Sequence, residues 1–229
     1  WSLKVLHRMI LNSRTYQQTS RPGLPPGPEN SLNAVRTGQK PHPTEIDADN
    51  RLLWRQNSRR IEAEAIRDAV LQVSGKLNAE RGGPGFQDFT YEEAYAPIYR
   101  YVTADEPALW RRSIYRYIVR TTPDRFMTTL DCPDTANLTA KRLTTTTPLQ
   151  SLALYNNDFM LRQSRYFAMR IESEAGANAV EQVNRAFQVA LGRLPIKPEQ
   201  RLAVSFVEQQ GLFALCRSLL NSNEFVYVD

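Results

Sequence analysis

The sequence has little of the material from which metal sites and nucleophilic triads are built. It contains two cysteines and two histidines in 229 residues, which leaves little for a His-rich zinc site or a Ser-His-Asp triad. His7 and His42 are each predicted to be surface or packing residues. The sequence also lacks a P-loop, a G-x-S-x-G nucleophile elbow, an H-E-x-x-H helix and a C-x-x-C-H haem-attachment motif. No motif assigns a reaction, and we expect neither a metal site nor an attached haem on this chain.

No apolar run approaches the ~18–20 residues that span a bilayer. The hydrophobic share of 41% with 23% charged residues is ordinary for a globular protein, and the length predicts one domain over residues 1–229. Because helical periodicity starts at residue 3 without an initiator Met, we expect a C-terminal fragment of a longer chain. Four prolines and two glycines in residues 21–28 predict an exposed loop over residues 19–46.

The net charge of +5 comes from arginine, because only five of the 29 basic residues are lysines. The excess lies in residues 1–120, which carry eighteen basic and thirteen acidic residues. Arginine suits bidentate pairing with carboxylates and packing on aromatic rings, whereas phosphate binders usually add lysine clusters. The composition therefore argues against nucleic acid as a partner. Cys132 and Cys216 lie 84 positions apart. The sequence leaves two alternatives open: the two residues form a disulfide, or Cys216 is a buried free thiol.

The clearest predicted helix runs from Arg59 to about Leu77. Apolar residues recur along it every three or four positions, at Ala63, Ile66, Val70, Val73 and Leu77. Arg60, Glu64 and Arg67 follow at i, i+4 and i+7, which predicts opposite charges along its exposed face.

Residues 86–136 have a different pattern. The β-branched and aromatic side chains of residues 112–120 predict a strand or short hairpin, and a short helix fits nearly as well. From Thr147 onward, N-cap residues, apolar stripes and Gly192 predict amphipathic helices over residues 147–229, the first capped by Thr147 and the second by Asp158. The predicted fold class is mainly α: an irregular multi-helix bundle with a small β-strand, hairpin or loop insert at about residues 86–136.

Charged residues of the long helix form the first candidate site. Glu62, Glu64 and Asp68 are candidate catalytic acids, because paired carboxylates can transfer protons when they are buried. The alternative is a network of structural ion pairs that holds this helix against loops. Its cations would be Arg59, Arg60, Arg67, Arg111 and Arg112.

Two further patterns are open to a functional and a structural interpretation. Arg142, Thr146 and Thr147 precede a predicted helix N-terminus, where free N–H groups and the helix dipole favour an anion, although a well-capped helix explains the same residues. Tyrosine and arginine alternate in residues 99–101 and 115–117. Their rings could stack on sugars or bases, and packing between sheet and helix explains them equally well.

Five motifs follow one another along nearly the whole chain: LKVLHRMILNSRTYQ at residues 3–17, RRIEAEAIRD at 59–68, RRSIY at 111–115, TTPLQSL at 146–152 and LLNSNEFVYVD at 219–229. In this order they resemble the planctomycete PSD-one domain of unknown function. The resemblance implies a domain that closes a large exported protein. It further implies a periplasmic, cell-envelope or secreted location, and upstream domains that often carry haem c.

The leading hypothesis is a non-enzymatic helical scaffold or interaction module of such an exported protein. Its expected partners are the upstream domains of the same polypeptide and, from the arginine excess, an anionic polysaccharide. One alternative is a carbohydrate- or ester-acting enzyme that uses the carboxylates of the long helix near Arg112 and Arg142. Another is an electron-transfer partner that acts through haem domains absent from this chain.

Overall fold

The computed structural model describes residues 2–13, 47–52 and 58–228, so the loop expected over residues 19–46 lies outside the described residues. The chain divides into two compact units, one drawn from Trp1–Arg59 and Tyr227–Asp229 and the other formed by Arg60–Val226. The single domain expected over residues 1–229 stays a prediction.

The described part of the first unit contains a helix, a turn and strand residues. Helix α1 spans Leu3–Leu11 and carries His7 on its exposed surface, whereas His42 lies outside the described residues. The Asp47 carboxylate accepts the backbone N–H groups of Arg51 at 2.8 Å and Leu52 at 2.7 Å, which closes a turn. Strands β1 (Arg59–Arg60) and β4 (Tyr227–Val228) form a two-stranded sheet.

The second unit is built mainly from helices. They are α2 (Ala63–Ser74), α3 (Arg125–Thr129), α4 (Pro148–Asn156), α5 (Asp158–Ala175), α6 (Ala179–Leu191), α7 (Lys197–Gln210), α8 (Leu212–Leu220) and α9 (Asn223–Val226). Strands β2 (Phe89–Glu92) and β3 (Ile98–Tyr101) pair antiparallel, and Pro107–Trp110 and Ser113–Tyr115 are 3₁₀ turns. The mainly α fold with a small β-containing insert is confirmed. None of the helices in the described residues is long and apolar enough to cross a membrane.

Helix α5, the longest, lies at the centre of the core. It packs against α2, α6 and α8, and its Phe167 and Ile171 are completely buried. Ile66 and Leu71 of α2 and Leu220 of α8 are equally inaccessible. Burying one such side chain stabilises the fold by about 1.5–3 kcal/mol. Because its apolar face is buried against α5, the rotation of α2 about its own axis is fixed. This rotation sets the directions in which the charged residues of α2 point.

The expected helix ends are confirmed where their signals are local. Thr147 and Gln150 form a capping box: Thr147 Oγ1 accepts the Gln150 N–H at 3.4 Å, and Gln150 Oε1 accepts the Thr147 N–H at 3.1 Å. Gly192 ends α6 with a left-handed φ of 69°. The cap of α5 is Asn157 and not Asp158 as expected, because the helix already begins at Asp158.

Helix α2 is shorter than the predicted helix over residues 59–77. Arg59 and Arg60 lie in β1, and Gly75 ends α2 with a left-handed φ of 75°. The predicted exposed stripe of opposite charges is wrong, because Arg60 and Arg67 are both buried. Arg60 from β1 and Arg67 from α2 both point inward, where they bind partners far away in the sequence.

Of the alternatives for residues 112–120, the strand or hairpin is wrong and the short helix is closer, because Ser113–Tyr115 is a 3₁₀ turn; the insert's strands are β2 and β3. The segment forms one bridge to Phe86, whose N–H donates to Tyr115 O at 2.9 Å and whose carbonyl accepts the Tyr117 N–H at 2.9 Å. Pro84, two positions earlier, has no N–H with which to extend that pairing.

Candidate functional site

The Glu64 carboxylate at the start of α2 is held by an arginine 78 residues further along the chain. Arg142 Nη1 lies 2.8 Å from Glu64 Oε2, and its Nη2 lies 3.1 Å from Oε1, so the pair is bidentate. Arg142 Nη1 also lies 3.3 Å from Glu62 Oε2. Two of the three candidate catalytic carboxylates therefore share one guanidinium group.

The environment of Glu64 favours its ionised form. Burial acts to raise the pKa of Glu64, but the hydrogen bonds and charge of Arg142 outweigh it and bring the pKa below its ordinary value. A general acid that works near neutral pH needs the opposite shift. The Cys132 thiol donates to Glu64 Oε1 at 3.7 Å, and burial together with the Glu64 charge raises the pKa of Cys132 to about 11. Cys132 and Cys216 are both free thiols.

Asp68, the third candidate acid, anchors a turn. Its Oδ1 accepts both the backbone N–H and the hydroxyl of Ser113, each at 2.7 Å. Arg112 Nε lies 3.5 Å from Oδ2, and Arg67 Nη1 lies 3.7 Å from Oδ1. The carboxylate thus connects α2 to the 3₁₀ turn at Ser113–Tyr115.

Arg60 and Asp131 form a buried pair between β1 and the loop after α3. Arg60 Nη2 donates to Asp131 Oδ2 at 2.6 Å and to the Leu130 carbonyl at 3.1 Å, while its Nη1 donates to the Thr145 carbonyl at 2.9 Å. Asp131 has a φ of 62°, a left-handed conformation that only a few per cent of non-glycine residues adopt. Its hydrogen bonds stabilise that conformation.

The anion near the start of α4 is this same Asp131. Its Oδ2 accepts the Thr145 N–H at 2.6 Å and Gln150 Nε2 at 3.2 Å, and its Oδ1 accepts the Thr145 hydroxyl at 2.9 Å. Burial acts to raise the pKa of Asp131, but the bonds from Thr145 and Arg60 outweigh it and lower the pKa.

The three candidate anion-binding residues have separate roles. Thr147 caps α4, Arg142 pairs with Glu64, and Thr146 is an exposed residue immediately before the cap. The structure does not bring their side chains together around one ligand position.

Two of the predicted ion-pair arginines bind carbonyl groups instead of forming close pairs with acids. Arg67 Nη1 donates to the Arg111 carbonyl at 2.9 Å, and Nη2 donates to the Leu109 carbonyl at 2.6 Å. The rings of Phe86 and Phe159 lie 5.2 and 5.6 Å from its guanidinium. Burial lowers the pKa of Arg67 to about 10, so the group stays protonated at neutral pH.

Arg111 holds the loop before β2 in the same manner. Its Nη1 donates to the Pro84 carbonyl at 2.7 Å, its Nη2 donates to the Gly82 carbonyl, and its guanidinium lies 4.3 Å from the Tyr115 ring centroid. Arg112 is half exposed beside Asp68. Arg59 is exposed on β1 and forms no ion pair with the residues that the structure describes.

A second buried ion-pair cluster, around Arg116, could not be found from the sequence. Arg116 Nε lies 2.7 Å from Asp88 Oδ2, and its Nη2 lies 2.6 Å from Asp124 Oδ2. The side chains of Arg116 and Asp88 are 7% and 9% exposed. Asp124 Oδ1 also accepts the Phe126 N–H at 2.9 Å, which caps α3. The alternation of Tyr and Arg marked Arg116 in the sequence, but no spacing connected it to these two acids.

A pocket of ≈ 180 Å³ opens beside this cluster. Among the side chains that line it are Arg67, Asp88, Tyr101, Thr103 and Asp124. Asp88 Oδ1 is buried and accepts no hydrogen bond within the part of the chain that the structure describes. Because a buried polar atom without a partner costs free energy, this oxygen has a reason to accept a donor that enters the pocket.

Two larger pockets lie along α5. One of ≈ 480 Å³ is lined by Lys76, Tyr166 and Arg170 among others, and one of ≈ 450 Å³ by Asp105 and Arg162 among others. In the latter, Arg162 pairs with Asp105, and the Tyr166 hydroxyl donates to Asp105 Oδ1 at 2.7 Å. Glu62, Glu64 and Asp68 line none of these three described pockets.

A row of aromatic rings covers one face of the β2–β3 hairpin. Tyr101, Phe89, Tyr99 and Tyr91 follow one another with ring centroids 5.9, 5.4 and 5.5 Å apart. Tyr117 joins this aromatic row 5.8 Å from Phe89. Tyr101 belongs both to the row and to the lining of the 180 Å³ pocket. The alternation noted at residues 99–101 and 115–117 therefore places three tyrosines in one surface.

The described residues offer no group of three or more His, Cys, Asp or Glu side chains that could hold a metal ion. The candidate carboxylates are bound to arginine or serine, so the arrangement supports binding and bracing better than proton transfer. The fold and these clusters define a mainly α-helical domain stabilised by long-range arginine contacts.

The chain belongs to the PSD1 family, described as a protein of unknown function (DUF1553), whose model matches residues 1–207. The resemblance to that domain is confirmed, although the motif at residues 219–229 lies beyond the matched part. No curated protein matches the chain, and no solved structure does.

Proposed function

We propose that this domain is a non-enzymatic scaffold or interaction module. The observation that carries the proposal is the state of the three candidate acids on α2. Arg142 binds Glu64 in a bidentate pair and approaches Glu62, while Ser113 donates twice to Asp68. A carboxylate committed to such bonds has to break them before it can accept or deliver a proton.

The alternative is a hydrolase that uses these same acids on a glycoside or an ester. A glycoside hydrolase of this kind needs two carboxyl groups facing a substrate across about 5–10 Å. None of the three acids lines a described pocket, and the pKa of Glu64 is lowered where a general acid needs a raised one. The scaffold therefore accounts for more of the geometry.

The experiment assays the purified chain on nitrophenyl glycosides and nitrophenyl esters beside the variants Glu64→Gln and Asp68→Asn. Glu62→Gln is the matched control, because its side chain is 60% exposed and lies only at the edge of the Arg142 pair. We expect no turnover from the wild type and lower unfolding midpoints for Glu64→Gln and Asp68→Asn than for the control. Turnover by the wild type that both variants lose while remaining folded would overturn the proposal.

The location and the neighbouring domains of the scaffold stay predictions from the family resemblance. An exported position predicts that the full-length protein fractionates with the envelope or the medium. A haem c domain upstream predicts haem absorbance from that full-length protein, which would also support the electron-transfer alternative. The expectation of an anionic polysaccharide partner is tested by retention on sulfated and neutral resins at increasing salt.

A further inference from the structure

We propose that the 180 Å³ pocket beside Asp88 and the aromatic row next to it form a binding site for neutral carbohydrate. Two observations suggest a ligand there: the buried Asp88 Oδ1 that accepts no hydrogen bond, and a row of aromatic side chains that begins at the pocket lining with Tyr101. The site is separate from the ion pairs of α2 and gives the interaction module a partner.

The charges around the pocket favour a neutral ligand. The buried guanidinium groups of Arg67 and Arg116 are balanced by the two carboxylates of Asp88 and Asp124. Asp158 is exposed, lines the same pocket and adds a negative charge. An anionic sugar would be repelled by this carboxylate. A hydroxyl group supplies the single donor that Asp88 Oδ1 lacks without adding charge.

The size of the pocket limits what can enter. A volume of ≈ 180 Å³ corresponds to about six water molecules and lies below the roughly 300–1,000 Å³ of pockets that enclose a whole ligand. One sugar ring or its hydroxyl-bearing edge therefore enters, and the rest of an oligosaccharide must lie outside. The aromatic row provides a surface next to the opening on which the following rings can rest.

Two of the four tyrosines of the row are well exposed to such a ligand, and Tyr99 and Tyr101 are half-buried. Tyr91 and Tyr117 are 56% and 53% exposed, and their rings present apolar faces beside hydroxyl groups. A pyranose ring has apolar C–H faces and a polar edge, which matches this combination. On the opposite face of the hairpin, Arg100 lies 3.4 Å from Glu92. An extended sugar chain is therefore expected on the aromatic face only.

The experiment titrates the 229-residue chain with cellotetraose, with maltotetraose as a second neutral probe, and compares tetragalacturonate and n-butylamine as charged probes. Tyr91→Ala removes an exposed ring of the row. Thr103→Phe fills the pocket without removing a member of the Arg116 cluster. Tyr95→Ala is the matched control, because Tyr95 is a fully exposed tyrosine in the loop between β2 and β3. Thermal unfolding of every variant checks that it remains folded.

We expect saturable binding of at least one neutral tetrasaccharide and weaker or absent binding of both charged probes. Tyr91→Ala should weaken the binding about fivefold to tenfold, Thr103→Phe should weaken it about tenfold or more, since a filled pocket admits no ring, and Tyr95→Ala should leave it unchanged. Failure of both neutral probes to bind, tighter binding of a charged probe, or equal losses for Tyr91→Ala and Tyr95→Ala would each overturn the proposal. Those failures leave the non-enzymatic role intact, because the hydrolysis assay tests it separately.

Discussion

Replacing Arg116 with methionine gives the sharpest test of how the second unit is stabilised. The substitution keeps a long apolar stem and removes the guanidinium group that contacts Asp88 at 2.7 Å and Asp124 at 2.6 Å. The two carboxylates are only 9% and 20% exposed, so water replaces the lost cation poorly. Breaking a buried ion pair from one side costs about 3–5 kcal/mol. That is a large share of the roughly 5–15 kcal/mol that stabilises a typical domain.

The measurement is the free energy of unfolding from urea denaturation followed by circular dichroism. Arg100→Met is the matched control, since Arg100 is also an arginine paired with an acid, but its side chain is 69% exposed and Glu92 lies 3.4 Å away. Exposed pairs of this kind contribute little, so the control should unfold at nearly the wild-type urea concentration.

A combined variant separates the loss of the pair from the loss of packing. Arg116→Met together with Asp124→Asn removes one cation and one acid, leaves the Asp88 carboxylate to balance the nearby Arg67 guanidinium, and keeps an asparagine that can still cap α3 at position 124. We expect this variant to recover much of the stability that Arg116→Met loses, because no buried carboxylate is left without a cation. An Arg116→Met variant as stable as Arg100→Met, or no recovery in the combined variant, would refute the reasoning.

Three further predictions concern other parts of the second unit. Gly75→Ala should lower the free energy of unfolding more than Gly192→Ala does. Both substitutions replace a left-handed glycine, which costs roughly 1–2 kcal/mol each. Only at Gly75 would the new Cβ also lie 3.3 Å from Arg170 Cδ. The pKa values of Asp131 and Glu64 are lowered in the folded state. The two carboxylates therefore add to the free energy of unfolding above their ordinary pKa values, and this addition is lost as the pH falls through the lowered values. With Asp131→Asn, the free energy of unfolding should decrease less between about pH 7 and about pH 2.5 than it does in the wild type. Thiol reagents at about pH 8 should label Cys132 slowly, since its pKa of about 11 keeps it protonated, and should label the buried Cys216 only on unfolding; rapid labelling of Cys216 in the folded chain would contradict the packing of α8.

Features that depend on neighbouring residues could be predicted from the sequence. Thr147 and Pro148 start α4, and Gly192 ends α6, because a cap needs only its own few residues and the backbone they hold. The apolar stripe of α2 is buried from Ala63 to Val73 for the same reason: helical spacing alone places these side chains on one face. The mainly α fold class followed from such local signals.

The partners of the charged residues could not be predicted in this way. The helical spacing of Arg60, Glu64 and Arg67 suggested that they pair with one another. Instead, Arg60 binds Asp131 at a separation of 71 residues, and Glu64 binds Arg142 at a separation of 78. Such partners depend on how β1 and α2 pack against distant segments of the chain, and the spacing of residues in a single sequence does not reveal that packing. The Asp88 pocket could not be predicted because two of its acids, Asp88 and Asp124, lie 36 positions apart and meet through Arg116.

The arginine excess of residues 1–120 has a structural explanation that a count of charges does not provide. Four of those arginines, namely Arg60, Arg67, Arg111 and Arg116, have side chains largely hidden from water. Each uses two or more nitrogens of its guanidinium at once, on carbonyl oxygens, carboxylates or both. A lysine ammonium is a single point of charge and cannot span two acceptors in this planar geometry. The preference for arginine over lysine therefore suits a fold that is stabilised by bidentate internal contacts. Because these four guanidinium groups are used inside the fold, they are not available to an anionic ligand at the surface.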